Sequence, residues 1–292
     1  MTDGFLLINK PENKRCSEII NTLKKNFKIK SAGYAGTLDS FASGLLVTGL
    51  NKATKLLKYI TELDKTYEAT MHFGSTTDTL DSTGKIISVS GKIPKKLSEI
   101  TKVLKLFEGT IDQVPPVFSA KKIKGIRASD FVRKGQIPQL NPCKVTIKSI
   151  KVLSYDNIHG ILKLLIICSK GTYIRSLARD ISKMLDTVAF VERLIRLSNG
   201  PFKLEDSKDI NDPELLSNII PIRDCLPFME EIIIKESALT NIKNGKPFRP
   251  EDCYFKELKS PVFKVIFNNS LIAIAKRESG VFRIIDNFSC KE

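Results

Sequence analysis

Gly33-Tyr34-Ala35-Gly36-Thr37-Leu38-Asp39-Ser40-Phe41-Ala42-Ser43-Gly44 places one carboxylate between glycines, which permit backbone angles closed to other residues. Along the chain, no acidic side chain comes nearer to Asp39 than Glu18 on one side and Glu62 on the other. An acid beside glycines is commonly a turn former. Whether this one does more depends on what surrounds it. Leu45-Leu46-Val47 predicts a buried strand directly after the loop, and residues 5–9, Phe-Leu-Leu-Ile-Asn, predict an earlier one stopped by Lys10-Pro11.

The pattern continues as a mixture of helices and strands. Ser17 is placed to cap a helix with Ile19, Ile20, Leu23 and Phe27 on one face and Lys24, Lys25 and Lys28 outside. Residues 66–73 alternate, with Tyr67, Ala69, Met71 and Phe73 on one side of a strand. Ser98 is expected to open a helix carrying Ile100, Val103, Leu104 and Phe107, ended by Gly109. Strands are expected over residues 144–154 and 161–168, then a helix from near Tyr173 with Ile174, Leu177, Ile181 and Leu185 inward. On that helix Arg175, Arg179 and Ser182 fall on a different, polar face. Val188 to Leu197 is expected to form a second helix, and residues 203–229 an acidic connector. From about residue 230 the character changes to a hairpin-rich β module, with strands at 262–267, 271–275 and from Val281.

Charge narrows the partner. Lys and Arg number 47 against 32 Asp and Glu, a net +15. Residues 230–292 hold 11 basic against 9 acidic side chains, so +13 of the charge lies in residues 1–229. The densest stretch, residues 119–151, carries Lys121, Lys122, Lys124, Arg127, Arg133, Lys134, Lys144, Lys148 and Lys151 against Asp130 alone. That is the footprint of a polyanion partner. No apolar run approaches the ~20 residues of a membrane helix. The first residues lack the basic start of a secretion signal, so a cytoplasmic protein is expected. Cys16, Cys143, Cys168, Cys225, Cys253 and Cys290 are scattered, without the spacing of a zinc site or a disulfide framework. His72 and His159 are the only histidines, too few for a histidine metal centre. The chain also lacks the phosphate-loop and dinucleotide glycine signatures. No cofactor or metal is expected. One reading joins these features: Asp39 acts as nucleophile or base on a nucleic acid, and an arginine at a helix start fixes its charge.

Six motifs in order carry a more specific resemblance. They are Asn9-Lys10-Pro11, Gly33-x-x-Gly36-Thr37-Leu38-Asp39, Asp64-Lys65-x-Tyr67, Thr77-Asp78-Thr79-x-Asp81-x-x-Gly84, Pro115-Pro116-x-Phe118-Ser119-Ala120-x-Lys122 and Ser169-Lys170-Gly171-Thr172-Tyr173-Ile174-Arg175. In these, residues 4–200 resemble the bacterial TruB family, the tRNA pseudouridine synthases acting at uridine 55 of the TΨC loop. The resemblance implies an α+β pseudouridine-synthase fold, with a mixed, largely antiparallel sheet flanked by helices, over residues 1–229. It also implies a small β-rich, PUA-like RNA-binding domain over residues 230–292. The reaction it implies breaks the N1–C1′ bond of uridine and rejoins the ring through C5, without metal or cofactor. Asp39 would be the catalytic carboxylate, Arg175 its charge partner and Tyr67 the residue stacking on the flipped base. Lys10, Tyr34, Tyr173 and Leu197 would shape the substrate pocket, and residues 119–151 would grip RNA. The implied partner is the TΨC arm of tRNA, bound by a monomer with no obligate protein partner and no membrane. A non-catalytic tRNA-binding protein or chaperone of the same fold, or a synthase acting on another RNA uridine, is the alternative. The motif does not choose between addition of the carboxylate to C1′ and attack on the base ring.

Three departures from the family pattern stand out. Tyr34 replaces a histidine, Ser40 a proline, and Asn13 a glycine in the turn after Lys10-Pro11. Asparagine tolerates the left-handed conformation better than most residues, so that turn is expected to survive.

Overall fold

The computed structural model describes residues 3–289 except positions 120, 124, 125, 137 and 256. Cys290, and Lys124 of the basic stretch, therefore lie outside the described residues. A large sheet runs in the order Ile220–Pro221, Gly4–Lys10, Ser43–Leu50, Ala189–Asn199, Lys65–Phe73, Ile161–Cys168, Cys143–Asp156 and Gly109–Gln113. Ser43–Leu50 and Ala189–Asn199 pair in parallel through Ser43 with Ile195 and Gly44 with Arg196. The other described pairings of this sheet are antiparallel.

Gly4–Lys10 reads as an unbroken apolar run because both its faces are covered. Leu6 and Ile8 pack with helices Cys16–Asn26, Leu97–Leu106 and Ile174–Met184, beside Leu46, Ala69 and Leu164. Phe5 and Leu7 point the other way, into a cluster with Val47, Leu56, Ile60 and Leu226. Ile266, Leu271 and Ile274 complete that second cluster. They belong to a five-stranded sheet ordered Cys253–Tyr254, Glu231–Ile234, Val262–Phe267, Ser270–Glu278 and Val281–Asn287. Asn268 and Asn269, at φ 45° and 62°, form its first two-residue hairpin turn, as the strand twist prefers. The sheet is also tied to helix Leu57–Thr61: Asp286 meets Lys58 at 2.7 Å and accepts a hydrogen bond from the Tyr59 hydroxyl at 2.7 Å. Among the described residues no helix is long and apolar enough to cross a membrane.

Several expected boundaries move. The first helix begins at Cys16, with Arg15 in the cap position and the Glu18 carboxylate accepting from the Arg15 N–H, so Ser17 lies inside the first turn. The helix expected from Ser98 starts at Leu97 and closes at Phe107. Gly109, at φ 101°, opens the next strand instead of ending the helix. Asn13 does adopt the left-handed conformation, at φ 60°.

The larger correction concerns Val188 to Leu197, which is a strand, Ala189–Asn199, and not a helix. Bulges fall between Val191 and Arg193 and between Arg196 and Ser198. Each bulge turns two consecutive residues to one side, so the buried side chains are Ala189, Val191, Leu194, Arg196 and Asn199. That irregular spacing resembles a helical repeat more than a strict alternation.

Candidate active site

Asp39 is held from both sides. The residue before it, Leu38, exchanges two contacts with Cys16: the thiol donates to the Leu38 carbonyl and the Leu38 N–H points back at Sγ, both at 3.3 Å. The residue after it, Ser40, offers its carbonyl to Lys10 Nζ at 3.2 Å. Lys10 spends its other donors on Pro11 O at 2.9 Å and Lys14 O at 2.7 Å. Lys10 is wholly buried and lies behind the loop, outside the pocket lining, and burial lowers its pKa.

The far end of the loop is fixed by glycine. Gly44 has φ 104°, and a Cβ there would sit 2.5 Å from the Arg196 carbonyl oxygen. Only hydrogen lets the two parallel strands meet at this point. The Arg196 side chain then runs along the loop, its Nε donating to Leu45 O at 2.7 Å and its Nη1 and Nη2 to Gly36 O at 3.1 and 3.2 Å.

Arg175, at the start of helix Ile174–Met184, is 4% exposed, so the polar face of this helix is turned inward at this residue. Its Nε stands 2.8 Å from Asp39 Oδ2, off the line of a hydrogen bond, which makes the contact an ion pair. Its Nη1 stands 3.3 Å from Asp81 Oδ2 and donates to Thr79 O at 2.8 Å, while Nη2 donates to Phe118 O at 3.0 Å. Asp81 is itself fixed: its Oδ1 accepts from the Thr79 hydroxyl at 2.8 Å and from the Thr83 hydroxyl and N–H at 2.6 and 3.0 Å. The Asp39 side chain remains 38% exposed, open towards a cleft of ≈ 290 Å³. Burial nevertheless raises its pKa above the usual aspartate range; Arg175 opposes that rise, and the like charge of Asp81 adds to it.

The cleft is closed by Tyr67, Tyr173, Leu194, Arg196, Lys65 and the turn from Ser169 to Thr172, with Lys121 at its edge. Tyr67 is 9% exposed on the central strand, and burial raises its phenol pKa against the pull of Arg196. Tyr173 caps the arginine helix. The Gln113 side chain holds its backbone twice, accepting from Tyr173 N at 2.8 Å and donating to Tyr173 O at 3.1 Å.

Asp39, Tyr67, Tyr173 and Arg175 are thus brought to one cleft. Leu197 is not among the lining residues; it sits at the second bulge, and Leu194 is the residue of its strand that lines the wall, with Leu38 from the loop. Tyr34 is also outside the lining, half-buried against the main core. Three charged residues of the site, Asp81, Lys65 and Arg196, are not singled out by the sequence reading. Asp81 and Lys65 fall inside its motifs, and a charged side chain fixed inside a motif is a signal. Arg196 interrupts the apolar run Leu194-Ile195-Arg196-Leu197, which a strand reading would have turned inward.

Residues 24–174 match the model of the TruB family pseudouridylate synthase N-terminal domain. Among curated proteins, the chain is 42% identical over 271 residues to the tRNA pseudouridine synthase B of Borreliella burgdorferi (strain ZS7), covering 91% of this chain and 94% of that protein. It is 36% identical over 286 residues to the protein of the same name from Caldicellulosiruptor saccharolyticus, covering 97% of each. Its fold is similar to a chain in the structure of an H/ACA RNP bound to a substrate RNA containing 2′-deoxyuridine, with a TM-score of 0.74 at 21% identity over 98% of this chain and 85% of that one. A chain of a Cbf5-Nop10-Gar1 complex gives a TM-score of 0.73 at 23% identity, over 98% and 84%. The glycine loop, the arginine helix and the strands that bring them together all fall in the regions so matched: the chain belongs to the TruB family of pseudouridylate synthases.

Proposed function

We propose that this protein converts uridine to pseudouridine at position 55 in the TΨC loop of tRNA, with Asp39 as the catalytic carboxylate. The observation that carries the reading is the Asp39–Arg175 ion pair at the floor of a cleft walled by Tyr67. Arg175 favours the ionised carboxylate that burial alone would suppress. Tyr67 offers a ring to the flipped base, and Tyr173 and Leu194 close the sides. Lys10 acts one step back, by holding the carbonyl of Ser40.

Energetics assign work to the basic surface. Flipping a stacked base costs a few kcal/mol. Stacking on Tyr67 returns about 1–3 kcal/mol. The balance falls to phosphate contacts, for which Lys121 and Lys170 stand at the cleft. Residues 119–151 extend that grip, and residues 230–292 act as a second RNA-binding module of PUA type. The protein works as a monomer in the cytoplasm. The names of its relatives support tRNA as the substrate.

The deciding experiment is chemical mapping of pseudouridine in a tRNA transcript treated with the purified protein, beside Asp39→Asn. Conversion at one uridine of the TΨC loop, lost in the variant, is expected. Conversion that persists in the variant would remove Asp39 from the chemistry. Binding without conversion by either protein would favour a tRNA chaperone, and conversion only in another RNA would move the substrate.

A further inference from the structure

Three buried cations surround the loop that carries Asp39, and each lacks a carboxylate partner. Lys10, Lys65 and Arg196 are 0%, 5% and 1% exposed. Among the described residues no ion pair engages any of them; their donors go to carbonyl oxygens, and Arg196 also meets the Tyr67 hydroxyl. Lys65 Nζ donates to Thr61 O at 2.6 Å and to Leu63 O. Removing an ion from water is costly, and carbonyl dipoles offset only part of that cost. Burial first, and repulsion from Arg196 second, lower the Lys65 pKa to about 8, which still leaves most of it charged at pH 7.

The site as a whole is therefore unbalanced. Four cations, Lys10 behind the loop and Lys65, Arg175 and Arg196 at the cleft, are set against two carboxylates, Asp39 and Asp81, and Arg175 is already matched to both. The surplus lies with Lys65 and Arg196, which line the cleft together with Tyr67. A fixed, solvent-poor surplus of positive charge is complementary to an anion that forms during reaction.

On the reading given above, the reaction supplies such an anion. When the C1′–N1 bond breaks, its electron pair leaves on the base, and the Asp39 carboxylate balances the positive charge left at C1′. The uracil stays anionic until its C5 bonds to C1′; loss of the C5 proton and protonation of N1 then complete the product. We propose that Lys65 and Arg196 form a cationic wall that stabilises the detached uracil anion. The phosphate beside the target nucleotide is the other anion within reach, but its charge is the same before and during the reaction. A wall built for phosphate would strengthen binding without favouring bond cleavage.

Leaving-group chemistry separates the two. A tRNA with 5-fluorouridine at the target carries a base that departs more readily as an anion and needs less stabilisation; its C5 bears fluorine and has no proton to release, so its conversion is read as cleavage of the C1′–N1 bond. Under single-turnover conditions, Lys65→Met should slow uridine conversion about 10²-fold, the scale of losing one transition-state donor, and fluorouridine conversion about tenfold or less. Lys65→Arg should restore most of the uridine rate. Arg196→Lys, which keeps the charge if not the loop contacts, should show the same inequality in weaker form. Melting curves and tRNA affinity, measured alongside, should change little for Lys65→Met. Equal slowing on both substrates, or loss confined to tRNA affinity, overturns the cationic wall while leaving the synthase reading intact. A wild-type protein that converts neither substrate overturns both.

Discussion

Asp39 and Asp81 share one guanidinium: Arg175 stands 2.8 Å from the first and 3.3 Å from the second. One carboxylate faces the cleft and the other is buried among threonines, so one cation serves both the exposed reactant and its own anchorage.

Asp81→Asn should therefore damage more than it appears to touch. Removing one partner of a buried pair costs about 3–5 kcal/mol where the remaining charge is stranded. Arg175 keeps Asp39 as a partner, so a loss of about 1–3 kcal/mol is expected here, read as a lower melting temperature. The rate of conversion should fall about 10- to 100-fold, as for misplaced catalytic groups, with tRNA affinity nearly unchanged. A rate equal to wild type would mean that Arg175 needs no second anchor.

The pH profile supplies a sign test. Burial raises the Asp39 pKa, so the carboxylate needed for reaction ionises at higher pH than a free aspartate, and activity should climb across that displaced acid limb. Asp81 contributes to the rise through like charge. Asp81→Asn should thus move the limb to lower pH, whereas Arg175→Met, which removes the opposing cation, should move it up. Single-turnover rates against pH check both directions, and two shifts of the same sign would refute the assignment.

Gly44→Ala should be severely destabilising. Its positive φ costs a substituted residue about 1–3 kcal/mol, and the clash at the Arg196 carbonyl adds to that. Gly91→Ala is the control, since a Cβ there meets nothing within 4 Å. Equal melting temperatures for the two variants would show that the parallel strands can separate at this point.

At the mouth of the cleft, Lys121→Met with Lys170→Met should flatten the dependence of tRNA affinity on log salt by about 1–2 units of slope, roughly one per lost phosphate contact. An unchanged slope would place the tRNA backbone elsewhere.

The sequence made the loop, the arginine helix and the central tyrosine strand legible, because each is local. Asp39 stands in a glycine frame, Arg175 one residue into a helix, and Tyr67 on a clean alternation. What it obscured depends on strands meeting. Asp81 is 42 positions from Asp39, so no count along the chain pairs them. The bulges in Ala189–Asn199 disguised a strand as a helix, and with it went the inward turn of Arg196 and the choice between Leu194 and Leu197. Lys10 and Tyr34 illustrate a second limit. The family resemblance places both at the pocket, while backbone contacts put Lys10 behind the loop and Tyr34 packs against the main core.

The two-sided burial of Gly4–Lys10 bears on how the chain is made. Its outer edge pairs with Ile220–Pro221, and its rear face packs through Phe5 and Leu7 into a cluster that includes Ile274 and Phe288. A ribosome releases that strand early; Val47, Leu56 and Ile60 follow soon after, but Ile220–Pro221, Ile274 and Phe288 emerge more than two hundred positions later. Part of that face must stay exposed, or shielded by other factors, through most of synthesis. Chains cut before the last sheet would leave the face only partly covered, so stalled or truncated products are natural targets for chaperones and proteases.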